Sequence, residues 1–295
     1  MNGLIMERQA TVEVMPEPAP RIERGINAPL IIGFIGVALF LLASLGAPLL
    51  APYEPTTVDT LNRLKGASAL HFVGTDQLGR DTFSRLLYGG RLSLVVAAIS
   101  VGIGLSGGAV IGMIAGYRSG LLDSLLMRAM DLLFSFPAIL LAIVIMAVLG
   151  SSVTNAMIAI GIIFIPGFAR YARSLTRSVV LEQFVSYARS TGVPFTRILL
   201  RDVLPNVAPG LIVQSTVAVG YAVTLEATLS FLGLGAQPPA PSWGNMIDAG
   251  RGFMSRAPLM VIAPAGAILF TVLVTNLLGE GLQLRNDKRQ SRGTL

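Results

Sequence analysis

The chain has 295 residues, 53% of them hydrophobic and only 13% charged, with a mean hydropathy of +0.70. A soluble domain carries about 25% charged residues, so the composition excludes a soluble fold and points to an integral membrane protein. The absence of cysteine excludes disulfides and thiolate chemistry, one histidine (His71) and one tryptophan (Trp243) leave little for metal or aromatic-cage chemistry, and the net charge of +6 rests on arginines at the edges of apolar runs, where they meet lipid headgroups rather than nucleic acid.

Residues 1–28 are polar, with prolines at Pro16, Pro18 and Pro20 among mixed Glu and Arg. They read as a disordered cytoplasmic tail, not a secretory signal, because the apolar run starts too late. Crossing the hydrocarbon core takes about 20 apolar residues in a helix. Six such spans are expected, at 29–50, 92–116, 122–149, 153–172, 206–232 and 257–278. An outer loop is expected over 51–91, and a cytoplasmic tail over 283–295. The turn Gly150-Ser151-Ser152 is so short that the third and fourth spans must form a helical hairpin.

The second span carries Ser100, Gly104, Gly108, Gly112 and Gly116 at every fourth position, a stripe that lets another helix approach closely. Packing, not ligand binding, is the expected role of that stripe. Pro137, Pro166, Pro209 and Pro264 fall inside apolar runs and are expected to kink or unwind them. Fifteen of the 22 lysines and arginines fall on one side if both termini are cytoplasmic: Arg8, Arg21, Arg24, Arg118, Arg128, Arg170, Arg173, Arg177, Arg189, Arg197, Arg201, Arg285, Lys288, Arg289 and Arg292. That bias sets the orientation. It also puts the basic island at 181–206 in the cytoplasm, as a long loop offered to a partner.

A carboxylate at the bilayer centre costs roughly 2.5–3.5 kcal/mol on insertion scales. Asp131 is expected to pair locally with Arg128, three residues before it. Glu226 is the acid expected to face an aqueous path, with Gln214, Ser215, Thr216 and Tyr221 on the same helix; interhelical hydrogen bonding is the competing role for each of them. The glycines of 102–108 sit inside an apolar helix and form no phosphate loop, and no Walker lysine motif occurs. Any ATP use must therefore come from a partner. No nucleophile–base pair supports an enzyme, and no cofactor or metal is expected. A stand-alone secondary carrier or channel is the alternative; it calls for an inverted repeat or paired intramembrane acids, and neither is visible.

Within the island, Ser186-Tyr187-Ala188 is followed by Gly192 and then by Leu204-Pro205. This spacing resembles the EAA loop of importer-type ABC permeases, with Ser186, Tyr187 and Asp202 departing from the usual Glu, Ala and apolar residue. Gly74-Thr75-Asp76, Gly79-Arg80-Asp81 and Ser84-Arg85 resemble the GTDxxGRDxxSR signature of the dipeptide/oligopeptide/nickel permease subfamily, in its C-type subunit. Ala115 to Arg118 with Leu122-Asp123, Ser230 to Gly235, Ser242-Trp243-Gly244 and Thr275 to Leu282 fit the same subfamily. The resemblance implies an all-α type I ABC importer permease with six transmembrane helices, in the cytoplasmic membrane of a prokaryote. The permease domain would cover 92–282, with a coupling loop at 181–205. The implied partners are a homologous second permease, two cytoplasmic ABC ATPase subunits, an extracytoplasmic solute-binding protein and membrane lipid. Phe184, Tyr187 and Ala188 would supply apolar docking contacts and Arg189 a charge, with Ser186, Gly192, Leu204 and Pro205 completing the loop. The implied cargo is a di- or oligopeptide or a related solute, moved by alternating access.

Overall fold

The computed structural model describes residues 27–293, with side chains as far as Asn286. The expected disordered tail lies outside the described residues up to residue 26. Among the described residues the fold is helical, with no β-strand and one isolated bridge between Thr75 and Asp81.

Helix α1 spans Ala28–Leu45 and α2 spans Ala47–Leu50. The Asn27 side chain caps α1 by accepting from the Leu30 amide at 3.3 Å. After the outer loop comes α3, Thr82–Tyr117, a 36-residue helix. It starts ten residues before the expected second span, so the outer loop ends at Asp81. The reason is local: the Asp81 carboxylate accepts from the Ser84 amide and hydroxyl, both at 2.7 Å, and so nucleates the helix at once.

The expected third span is not one helix. It is α4 (Leu121–Phe134) and α5 (Ala138–Leu149), meeting at an 89° bend. Pro137 sits at the break; it has no N–H to donate, and it forces extended backbone on the residue before it. Counted as one broken span, the pair is the sixth crossing beside α1, α3, α6, α9 and α11. Helix α6 (Val153–Val180) is capped by Ser152 and runs eight residues past the expected end, with Pro166 accommodated inside it. Helices α7 (Gln183–Ser190) and α8 (Phe195–Arg197) follow, then a π-type turn at Ile198–Val203 that leads directly into α9 (Leu204–Phe231). The outer segment holds α10 (Trp243–Gly250), and α11 (Leu259–Gly293) closes the chain. The helical backbone of α11 absorbs most of what was expected to be a separate C-terminal tail.

The strongest packing in the molecule joins α3 to α6, and it follows the small-residue stripe. A Cβ at Gly108 would lie 2.7 Å from the Ile165 carbonyl and 2.8 Å from the Ala169 amide; at Gly116 it would meet the Thr176 Cβ at 2.7 Å. Ser100 donates across the seam to the Met157 carbonyl at 3.0 Å. Such contact between backbones lets dispersion hold helices together in lipid, where the hydrophobic effect does not. Helix α1 lies against α11 in the same manner, with Gly33 on the backbone of Leu278, and Asn27 donates to the Gly281 carbonyl at 2.8 Å. Apolar side chains such as Phe34, Leu42 and Val148 remain exposed, as a lipid-facing surface requires.

Candidate functional site

The cytoplasmic loop is two short helices around one glycine. Helix α7 ends at Ser190, and Gly192 adopts φ +73°, a left-handed conformation that an L side chain resists. Val185 on α7 is fully buried, as are Ile198 and Val203 on the other side of the turn, and these residues anchor the loop to the membrane core. Phe184 and Tyr187 point the other way, 45% and 72% exposed, and Ser186 is exposed beside them. Ala188 is half-buried, packed in part against the protein's own core. Arg189 is turned back as well, its guanidinium 4.2 Å from the Tyr117 ring and its Nε donating to the Tyr117 hydroxyl at 3.1 Å. Leu204 is half-buried and Pro205 exposed at the start of α9. The second half of the loop is therefore a cytoplasmic extension of α9, with unbroken helical backbone from Phe195 to Phe231.

On the outer side, the signature residues build a buried polar knot. Asp76 accepts from the amides of Leu78 at 2.8 Å and Arg80 at 3.0 Å, and pairs with Arg80 Nε at 2.6 Å and Arg85 Nε at 3.6 Å. Arg85 also donates to the carbonyls of Pro55 at 3.0 Å and Pro239 at 3.4 Å, so it ties both outer segments to α3. Asp81 accepts the cap of α3 and lies 2.8 Å from His71 Nδ1, which accounts for the lone histidine as a structural one. Gly74 and Gly79 hold φ of +83° and +80°, and Thr75 donates to the Asn62 carbonyl. Every residue of the motif is used internally, so the signature is a folding device of the outer loop.

Between α4, α5, α6 and α9 lies a cavity of about 460 Å³ lined by aromatic rings, among them Phe134, Phe136, Phe164 and Phe168, with Gln214 and Tyr221 from α9. Gln214 and Tyr221 thus meet at the cavity wall. Thr216 does not: its hydroxyl donates to the Val213 carbonyl at 2.7 Å and its side chain faces Gly279 of α11. Glu226 is a second correction. Only 2% exposed, it accepts from Ser93 of α3 at 3.0 Å and from Ser230 at 2.8 Å, and so faces a helix interface instead of a path. Asp131 is a third: it pairs with Arg170 of α6 at 2.7 Å, not with Arg128, and Arg170 also lies over the Phe134 ring.

Residues 108–292 match the family described as the binding-protein-dependent transport system inner membrane component. The dipeptide transport system permease protein DppC of Alkalihalophilus pseudofirmus is 43% identical over 257 residues, covering 87% of this chain and 84% of its own. The glutathione transport system permease proteins GsiD of Pectobacterium atrosepticum and Escherichia coli are 43% and 44% identical over 250 residues, covering 84% of this chain and 82% of theirs. The chain belongs to this family. It is a permease of a bacterial inner membrane, a transport component that works with an ATPase and a binding protein.

Sequence reasoning missed two clusters of this permease. Asp123 at the start of α4 receives Arg173 at 2.5 and 2.7 Å and Arg177 at 2.5 Å, fastening α4 to the inner end of α6. Tyr117 meets Phe195 edge-on at 4.9 Å, and Arg118 lies over the Phe195 ring at 4.7 Å. The i,i+4 spacing of Arg173 and Arg177 was visible in the sequence as a basic face; its carboxylate partner, 50 residues away, was not.

Proposed function

We propose that this permease forms half of the path through which an ABC importer moves short peptides, with a homologous permease as the other half. Two cytoplasmic ATPase subunits sit below the permease pair, one of them docked on the loop at 181–205, and an extracytoplasmic binding protein delivers the solute. The observation that carries this reading is the exposure of Phe184 and Tyr187 on a loop otherwise anchored by buried Val185, Ile198 and Val203. A large aromatic pair on a structured cytoplasmic loop suits a cleft in a protein partner. Peptide cargo is supported by the relatives, named for dipeptide and glutathione transport. It is further supported by the aromatic cavity with Gln214 and Tyr221, whose volume falls in the range of small-molecule sites.

The test is to purify the complex and reconstitute it with its binding protein. ATP-dependent uptake of a labelled dipeptide is expected, together with loss of ATPase co-purification in Tyr187→Asp. Dipeptide uptake driven by an ion gradient with no ATPase bound would replace this reading with a stand-alone secondary carrier.

A further inference from the structure

The two halves of the cytoplasmic loop close on one residue. Tyr117, the last residue of α3, takes Arg189 from the first half, as both a hydrogen bond and a cation over its ring. From the second half it takes Phe195 edge-on at 4.9 Å, and Arg118 beside it covers the other part of the Phe195 ring. Gly192 separates Arg189 from Phe195, so the clamp bridges the left-handed glycine turn that joins the two halves of the loop.

Helix α3 is suited to carry a displacement. It is 36 residues long, about 54 Å at the α-helical rise. Among spans longer than 20 residues it alone has no internal proline: α6, α9 and α11 contain Pro166, Pro209 and Pro264. Sharp kinks in helices nearly always sit at proline, at Gly/Ser pairs or at π-bulges; the Ser106-Gly107-Gly108 run of α3 is of the second kind, but Gly104, Gly108, Gly112 and Gly116 are packed directly on α6, which braces the helix there. Its outer end holds both outer segments. Arg85 binds the carbonyls of Pro55 and Pro239, Asp81 caps the helix, and Trp243 Nε1 donates to the Leu86 carbonyl at 2.9 Å.

We propose that Tyr117 is the positioning residue through which movement of the docked loop is passed to α3, and by α3 to both outer segments that face the binding protein. The inference rests on the docking reading above. Coupling between two sites is reciprocal, so the clamp must set how strongly nucleotide at the ATPase changes the affinity of the binding protein outside. Loss of the Tyr117 ring removes both faces of the clamp. Phenylalanine at that position loses only the hydroxyl, and keeps the ring for Phe195 and the Arg189 cation.

The test uses the whole complex in lipid nanodiscs, with the system's own binding protein as the probe. Its Kd is measured without nucleotide and with ATP plus vanadate, and the ratio of the two is the readout. Tyr117→Ala is expected to keep the ATPase bound and hydrolysing ATP, while the ratio falls about fivefold or more toward one, the lower end of ordinary coupling. Tyr117→Phe should keep most of the ratio. Should Tyr117→Ala fail to assemble, the double change Arg189→Ala with Phe195→Ala disables the clamp from the loop side and is expected to lower the ratio in the same way. A wild-type ratio in either variant overturns the proposal. So does loss of the ATPase from an assembled, inserted Tyr117→Ala permease, which would make Tyr117 a shaper of the docking surface only. Retention of the ATPase by Tyr187→Asp overturns the docking reading, and this proposal with it, and is seen in a separate pull-down.

Discussion

Gly112→Ala, compared with Gly102→Ala on the same helix, tests whether the α3–α6 seam holds the permease together. A Cβ at Gly112 would overlap the Ala169 carbonyl and lie 2.7 Å from the Ala172 Cβ and 2.9 Å from the Arg173 amide. Carbon–carbon contacts settle at about 3.5–4.0 Å, so the deficit to Ala172 is about 1 Å. The obstacles are backbone atoms and a Cβ, none of which can rotate aside. The helices must therefore separate, and neighbouring contacts along the seam lose a quarter to a half of their well over a 0.5–1 Å gap. Overpacking of this kind costs about 1–3 kcal/mol. At Gly102 an added Cβ meets nothing within 4 Å. There the substitution contributes only alanine's helix preference, about 1 kcal/mol in favour. That preference is common to both sites, so the clash alone separates the variants. A difference of about 2 kcal/mol corresponds to about 4–8 °C in midpoint for a protein of roughly this size. The assay is thermal unfolding in detergent, followed by the fluorescence of Trp243, the single tryptophan. Equal midpoints for the two variants would refute the argument that close backbone approach at Gly112 stabilises the fold.

Four further outcomes are expected. Asp76→Ala leaves Arg80 and Arg85 buried without their carboxylate and should destabilise the outer loop by about 3–5 kcal/mol; thermal unfolding with and without a compensating Arg80→Met checks it. Glu226→Ala strands the hydroxyls of Ser93 and Ser230 and opens a void, costing about 2–4 kcal/mol. Glu226→Gln, by contrast, should leave the ratio of cationic to neutral dipeptide uptake unchanged, and a shift in that ratio would return Glu226 to the path. Asp131→Asn breaks an exposed pair with Arg170 and should lower stability by no more than about 1 kcal/mol, an effect that high salt in the unfolding assay should erase.

Much of the fold was legible because the membrane imposes coarse rules. A run of about 20 apolar residues marks a span, and arginine bias orients it. The interruptions were legible only in part. Pro137 was expected to kink the third span, yet nothing local distinguishes it from Pro166, which α6 carries without breaking. The difference lies in what surrounds each: Phe164, Pro166 and Phe168 are buried within the bundle, whereas Ser135 and Phe136 at the break are exposed. Glu226 was misplaced for a similar reason. An acid in an apolar helix signals a polar neighbour, but whether that neighbour is water or the Ser93 hydroxyl of a helix 133 residues away is not written near it.

From the sequence alone came the membrane class, the orientation, the close seam along Ser100 to Gly116, and a long cytoplasmic loop offered to a partner. All of these depend on residue type and position along the chain, not on which helices meet. Tertiary structure alone decided which side chains face one another: Phe184 and Tyr187 outward, Arg189 onto Tyr117, Asp131 to Arg170, Glu226 to Ser93, and Tyr117 into the clamp. Such pairings depend on how rigid helices of different origin rotate about their axes when they pack, and that rotation is set by the whole interface at once.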